Sequence, residues 1–338
     1  MATLYITSPQ AGAGKTLVCA GLGQHLKDDG KKVGFFKPLV ADIKSRDEKA
    51  ADSDTAFIKR ILSLKEPVDD LCPVIGGEGK LASKVKQAYA KVAKDKDIVI
   101  IEGVWRQRPG GQPVESSYEV AEALGAKVIV VEAYSPDLFK TKFTDKYKGF
   151  GEHLLGVVIN KVPMSRMEVV RGWLGGVAVL GVIPEDRTLL SLTVAELAEL
   201  IEGKIVNDTG KSAELVENYM LGALGVDSGL DYFGRKANKA VVVKGERPDM
   251  QLAALETSTK CLVISGDGSP IYDVRRSAED KAIPIIVTDE DTASVMDSIE
   301  KALGMTKFNQ EEKLPRLAEI MKQRFDFKAL YKGLGLTG

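Results

Sequence analysis

Ile6-Thr7-Ser8-Pro9-Gln10-Ala11-Gly12-Ala13-Gly14-Lys15-Thr16 decides the fold of the first half of this chain. An apolar run, Thr3 to Ile6, precedes it, and Leu17, Val18, Leu22 and Leu26 follow at helical spacing. A strand, a loop of small residues ending Gly-Lys-Thr and then a helix form a cradle for phosphate. Gly12 and Gly14 let the backbone approach the phosphate oxygens closely. The N–H groups from Ala13 into the first helical turn at Leu17 face that negative charge, aided by the helix N-terminus. Lys15 is placed to reach the β- and γ-phosphates of a nucleotide, and the Thr16 hydroxyl to ligate Mg²⁺. The glycine that the full pattern sets five residues before Gly14 is Pro9 here.

The 338 residues suggest about two domains. A hydrophobic content of 44% and a charged content of 28% are those of a globular protein. Lys plus Arg (47) nearly balances Asp plus Glu (48), so no global field gathers nucleic acid or anionic membrane. Apolar runs stay well short of the roughly 20 residues that span a bilayer. The N-terminus enters a strand without a basic and apolar leader, and a cytoplasmic location is expected. Cys19, Cys72 and Cys261 are scattered singly and fit neither a zinc site nor a disulfide framework. His25 and His153 leave little room for histidine-based catalysis.

Apolar runs alternate with helix-period segments, the pattern of a mainly parallel sheet covered by helices. Strands are predicted at Thr3–Ile6, Lys32–Phe36, Asp97–Ile101, Lys127–Val131, His153–Ile159 and Val177–Ile183, with helices at Leu81–Val92 and Tyr118–Leu124. Lys65–Lys80, with two prolines and three glycines, reads as a loop. After a helix at Val194–Ile201, the polar turns at Gly203-Lys204 and Asn207-Asp208-Thr209-Gly210 mark a domain change. A smaller α/β unit follows, with strands at Ala240–Val243, Cys261–Ile264 and Ile283–Val287. Its helices lie near Met250–Glu256, Ile271–Lys281 and Thr292–Leu303. The expected division is 1–205, 206–305 and a helical tail, 306–338.

Four further segments suit a nucleotide site. Lys37-Pro38 ends the second strand, in the crevice where open parallel sheets bind ligands. There Lys37 either bridges the γ-phosphate and an anionic substrate or is a surface lysine. Asp52-Ser53-Asp54 precedes a helix, and Asp54 is a helix cap or a Mg²⁺ ligand. Ile98-Val99-Ile100-Ile101-Glu102 is an apolar strand ending in a carboxylate, the arrangement in which an acid meets Mg²⁺. A buried acid is costly without a partner, which favours that role. Asn160-Lys161-Val162-Pro163 closes another strand; Asn160 offers donor and acceptor to an adenine edge, or simply starts a turn. Val162-Pro163 stand where an aspartate would signal guanine, and the backbone at Pro184 is a candidate wall for the base.

Together these motifs resemble the dethiobiotin synthetase-like branch of P-loop proteins. The resemblance covers about residues 1–200 and rests on Thr7 to Thr16, Lys37-Pro38, Ser53-Asp54, Glu102-Gly103, Asn160 and Gly181 to Pro184. It implies that the loop binds ATP and that Lys37 contacts substrate and γ-phosphate. It also implies that Asp54 and Glu102 bind Mg²⁺ and that Asn160 reads adenine. The second unit resembles a DRTGG domain through Ala240 to Asp249, Leu252 to Glu256 and Cys261 to Gly266. The combination is similar to the N-terminal half of long bacterial phosphate acetyltransferases and to free-standing proteins of that family. DRTGG domains are regarded as regulatory or dimerising, which implies a homodimer or higher homo-oligomer. Gly245 to Arg247 either binds a small anionic effector or forms a tight turn before Pro248.

Val104-Trp105-Arg106-Gln107-Arg108 stands where dethiobiotin synthetases carry a Gly-rich substrate stretch, and Arg106 with Arg108 suggests an anionic second ligand. Neither a glutaminase segment nor a phosphate acetyltransferase catalytic domain is evident in the sequence. The expectation is a Mg-ATP-binding regulatory or nucleotide-sensing module with at most slow hydrolysis. The alternative is an ATP-dependent synthetase of the dethiobiotin or cobyrinic acid a,c-diamide synthetase type, acting on a carboxylate or acyl substrate.

Overall fold

The computed structural model of the chain describes residues 1–40, 53–75, 80–103, 115–140, 142–172, 176–207, 209–222, 229–266, 268–303 and 307–337. They divide into two compact units, Met1–Glu185 with Phe308–Gly338, and Asp186–Lys307. The change of unit therefore comes after Glu185, not after residue 205. The tail expected to stand apart belongs to the first unit.

In the first unit, β1 (Ala2–Thr7) leads through the glycine-containing loop into α1 (Lys15–Asp28), followed by β2 (Val33–Phe36) and α2 (Ser53–Leu62). Next come α3 (Leu81–Ala93), β3 (Ile98–Glu102), α4 (Glu115–Leu124), β4 (Lys127–Ala133), β5 (Leu154–Val162) and β6 (Val179–Pro184). The six strands form one parallel sheet in the order β2-β3-β1-β4-β5-β6. Helices cover both faces, so Leu4, Ile6, Phe35, Ile98 to Ile101 and Val128 to Val131 are all buried, which is why these strands are almost continuously apolar. The order doubles back around β1, and ligands of such sheets lie beyond the carboxyl ends at that reversal. The loop after β1 opens there. Lys65–Lys80, read as a loop, contains a short helix, Val68–Leu71, and a two-residue strand, Val74–Ile75, paired with Leu39–Val40.

In the second unit, α5 (Val194–Leu200) starts with a capping box between Thr193 and Glu196. Then follow β7 (Lys204–Ile205), β8 (Asn218–Leu221), β9 (Lys239–Lys244), α6 (Pro248–Leu255) and β10 (Thr259–Ser265). After them come α7 (Tyr272–Asp280), β11 (Ile285–Thr288) and α8 (Thr292–Leu303). The sheet order is β7-β11-β10-β9-β8, parallel except for β7. The boundary moved for a physical reason. Leu197 and Ile201 pack with Val242, Val263 and Ile286 of this second sheet, and β7 is its edge. Amphipathicity shows that a helix must be covered, not which sheet covers it.

The chain then returns to the first unit as α9 (Leu314–Arg324) and α10 (Phe327–Leu334), which Gly335 ends in the left-handed conformation. Helix α9 lies against α1 so closely that a Cβ on Gly21 would come within 3.1 Å of Met321 Cγ. Phe325 forms an antiparallel bridge to Gly181 and shields the edge strand β6. No helix among the described residues is long and apolar enough to cross a membrane.

Candidate functional site

Strand register fixes the site. Ile6 pairs with Glu102 on one side of β1, and Thr7 with Val130 on the other, so the loop that leaves β1 rises directly above Glu102. Gly12 (φ 68) and Gly14 (φ 100) both adopt left-handed backbone, which other residues rarely do. Gly14 caps α1 without any side-chain cap. Ala13 and Leu17 are buried, so their side chains hold the loop down on the sheet and only their backbones can meet a ligand.

Lys15 folds back onto the start of its own loop: its Nζ donates to Ser8 Oγ at 3.1 Å, and Ser8 donates to the Gln10 carbonyl at 2.6 Å. Burial pushes the Lys15 ammonium below the ordinary lysine range, while Glu102 draws it back up. Thr16 Oγ1 donates to Glu102 Oε1 at 3.1 Å. Lys37 Nζ reaches the same oxygen at 3.1 Å and Asp54 Oδ2 at 2.9 Å. The loop, the end of β2, the start of α2 and the end of β3 thus converge on a few ångströms of space. Glu102 is 2% exposed, and its Oε2 is buried without a hydrogen-bond partner. Burial raises its carboxyl above the usual range, opposed chiefly by Lys37.

This donor set suits a small hard cation. Hydroxyl and carboxylate oxygens bind Mg²⁺, which keeps several waters and takes its remaining ligands from phosphates rather than from an all-protein cage. The described residues contain no group of three or more His, Cys, Asp or Glu able to hold a metal alone. Of these oxygens, Glu102 Oε2 is buried and left without a partner. Between Asp54 and Glu102, expected to share an ion directly, lies the Lys37 ammonium.

Asn160 sits under the loop, its Nδ2 donating to the Ala13 carbonyl at 2.8 Å. Pro184, buried, ends β6 beside Val162. Arg106 and Arg108, and Asp52, lie outside the described residues. In the second unit Arg247 is paired with Asp249 at 2.7 Å, and Glu246 stands beside them, so this turn presents mixed charge. Sequence reasoning missed Ser8, whose hydroxyl holds Lys15. It also missed Tyr5, pushed up to about 12 by burial, whose hydroxyl donates to Ser117 Oγ at 3.2 Å beneath Gly103. A hydroxyl at the head of a phosphate loop was a usable signal for the first; a tyrosine inside an apolar strand carried none for the second.

Residues 2–192 match the family model of an AAA domain, and residues 196–302 match the DRTGG domain. Among curated proteins, the chain is similar to the phosphate acetyltransferase of Pseudomonas aeruginosa, 26% identical over 378 residues, covering 99% of this chain and 52% of that protein. It is also similar to the ATP-dependent dethiobiotin synthetase BioD of Bacillus subtilis, 26% identical over 226 residues, covering 59% of this chain and 94% of the synthetase. The chain spans about half the length of the phosphate acetyltransferases it matches. One solved structure with partial similarity is that of the CBS and DRTGG domains of the regulatory region of Clostridium perfringens pyrophosphatase, complexed with diadenosine tetraphosphate. It has a TM-score of 0.30 and 16% identity, and the match covers 40% of this chain and 61% of that one.

Proposed function

The chain belongs to the AAA-domain family, and on that premise we propose that it is a Mg-ATP-binding regulatory or nucleotide-sensing module with at most slow ATP hydrolysis. One observation carries this reading: Lys15, Thr16, Lys37, Asp54 and Glu102 gather at the carboxyl ends of β1 to β3, with a buried carboxylate oxygen left unpartnered. In this reading Lys15 leaves Ser8 for the β- and γ-phosphates when nucleotide enters. Thr16 and Glu102 hold Mg²⁺, with Asp54 in reach. Lys37, already set between the two acids, neutralises the γ-phosphate. Bound Mg²⁺ would neutralise charge on the β- and γ-phosphate groups. The base is adenine, because Val162-Pro163 replace the acidic residue that would accept from guanine. The similarity to half of a phosphate acetyltransferase and the DRTGG domain support a sensing role in a homo-oligomer.

Calorimetric titration of the full chain with Mg-ATP tests this. Binding should be lost in Lys15→Ala, and ADP release should stay slow; a Lys15→Ala variant that binds as well as the parent sinks the nucleotide reading. A second reading, an ATP-dependent synthetase, is favoured by Lys37, which stands at the strand end where a carboxylate or acyl substrate would meet the γ-phosphate. Stimulation of ADP release by such a substrate would establish it.

A further inference from the structure

Asn160 was expected to read the base, yet its side-chain amide donates to the phosphate loop. Its Nδ2 donates to the Ala13 carbonyl at 2.8 Å, and the residue is 3% exposed. Two local features serve this contact. Strand β5 breaks register with β6 between Ile159 and Val162, and Lys161 takes φ 57, so a bulge redirects the backbone at Asn160. Across the contact, a Cβ on Gly14 would come within 2.1 Å of Asn160 Nδ2, so the approach requires glycine there as well as the left-handed backbone.

The geometry of a peptide group gives the contact its consequence. In a trans peptide the C=O and the following N–H point in opposite directions, and the described residues contain no cis bond. A carboxamide that holds the Ala13 carbonyl toward β5 therefore holds the Gly14 N–H away from it. We infer that Asn160 is a positioning residue of the phosphate cradle: it orients the Ala13–Gly14 peptide so that the Gly14 N–H faces the bound phosphates. The inference rests on the nucleotide reading above and assigns the Asn160 Nδ2 donor to the phosphate cradle. Without the amide donor, the peptide is released to rotate, and each binding event must order it again.

Separating phosphate from base tests the assignment. Binding of Mg-ATP and of Mg-tripolyphosphate, which has no base, is measured by calorimetry for the parent chain, Asn160→Ala and Asn160→Asp. Asn160→Asp keeps the shape and removes the donor. Asn160→Ala should weaken both ligands by the same factor, about tenfold for one buried hydrogen bond with its acceptor left bare, and Asn160→Asp, which also adds a negative charge, by at least as much. The ratio of the two affinities should stay at the parent value, and that ratio is insensitive to a partly unfolded sample. A variant that loses ATP affinity but binds tripolyphosphate like the parent overturns the assignment and returns Asn160 to the base. Unchanged affinity for both ligands overturns it too. A parent chain that binds neither ligand overturns the nucleotide reading and this inference with it.

Discussion

Glu102→Gln removes a charge while keeping the side chain's shape, and the structure sets what should follow. Oε1 accepts from Lys37 Nζ and Thr16 Oγ1, each at 3.1 Å, and an amide oxygen can still accept from both. Lys37 also keeps Asp54 at 2.9 Å, so its ammonium is not stranded by the change. Loss of one ion pair is offset by relief of the burial that pushes the Glu102 carboxyl upward. Stability without ligand should therefore fall by less than the roughly 3–5 kcal/mol that stranding one partner of a buried pair costs. Binding differs, because Oε2 is buried and unpartnered. An unsatisfied buried polar atom costs about 1–3 kcal/mol, which a cation at Oε2 recovers. That range equals a factor of about 5 to 150 in affinity, present only with metal. Calorimetry of parent and variant with ATP, in Mg²⁺ and in EDTA, reads it directly. Affinities in EDTA should agree, and the Mg²⁺ enhancement should collapse in Glu102→Gln. Full enhancement in the variant, or equal loss with and without metal, would refute the role given to Oε2.

Phe325→Ala should destabilise the first unit by about 3 kcal/mol, because Phe325 is buried against Gly181 and bridges the edge strand. A shift in denaturation midpoint reads that loss; a change below about 1 kcal/mol would show that the tail does not close this edge. Lys239 gives a pH signature in the second unit. It is buried, its Nζ donates to Thr257 Oγ1 at 2.9 Å and Ser258 O at 3.0 Å, and burial pushes its ammonium down to about 8. Between about 8 and the ordinary lysine value the unfolded chain holds the proton more tightly. The penalty of a buried charge is thus complete below pH 8 and relieved as pH rises through that window. Lys239→Met should have its largest relative stability at neutral pH, declining toward pH 10; a stability difference flat with pH would contradict the buried charge.

All six strands of the first sheet were legible, because burial on both faces leaves an unbroken apolar run for each. Asn218–Leu221 was not: Asn-Tyr-Met-Leu sits at a sheet edge and lacks that run. The tail helices were legible as amphipathic elements, but their partner was not. What seats α9 is the missing side chain of Gly21, five residues beyond Thr16 but outside the phosphate-loop motif, and silent as a signal until Met321 is found above it. The domain boundary failed in the same way. Polar turn residues at 203–210 look the same whether they separate two units or connect a helix to its own sheet's edge strand.

The site residues were legible one by one through strand ends and a loop signature, whereas their pairing depends on topology. Lys37, Asp54 and Glu102 are far apart in sequence, and strand order alone makes β2 and β3 neighbours, with Phe36 opposite Ile101. That register carries the residue after Phe36 to the level of Glu102, so Lys37 lies beside the acid. Spacing in the chain gave each acid a cation to hold but could not show that a lysine already stands between them. Because Lys37 already offsets much of the charge of both carboxylates, a divalent ion gains less there than two bare acids would offer. Phosphate oxygens that draw Lys37 toward themselves free that charge for the metal. Metal and triphosphate should then bind as one ligand, with Mg²⁺ alone binding far more weakly than Mg²⁺ carried in on a nucleotide.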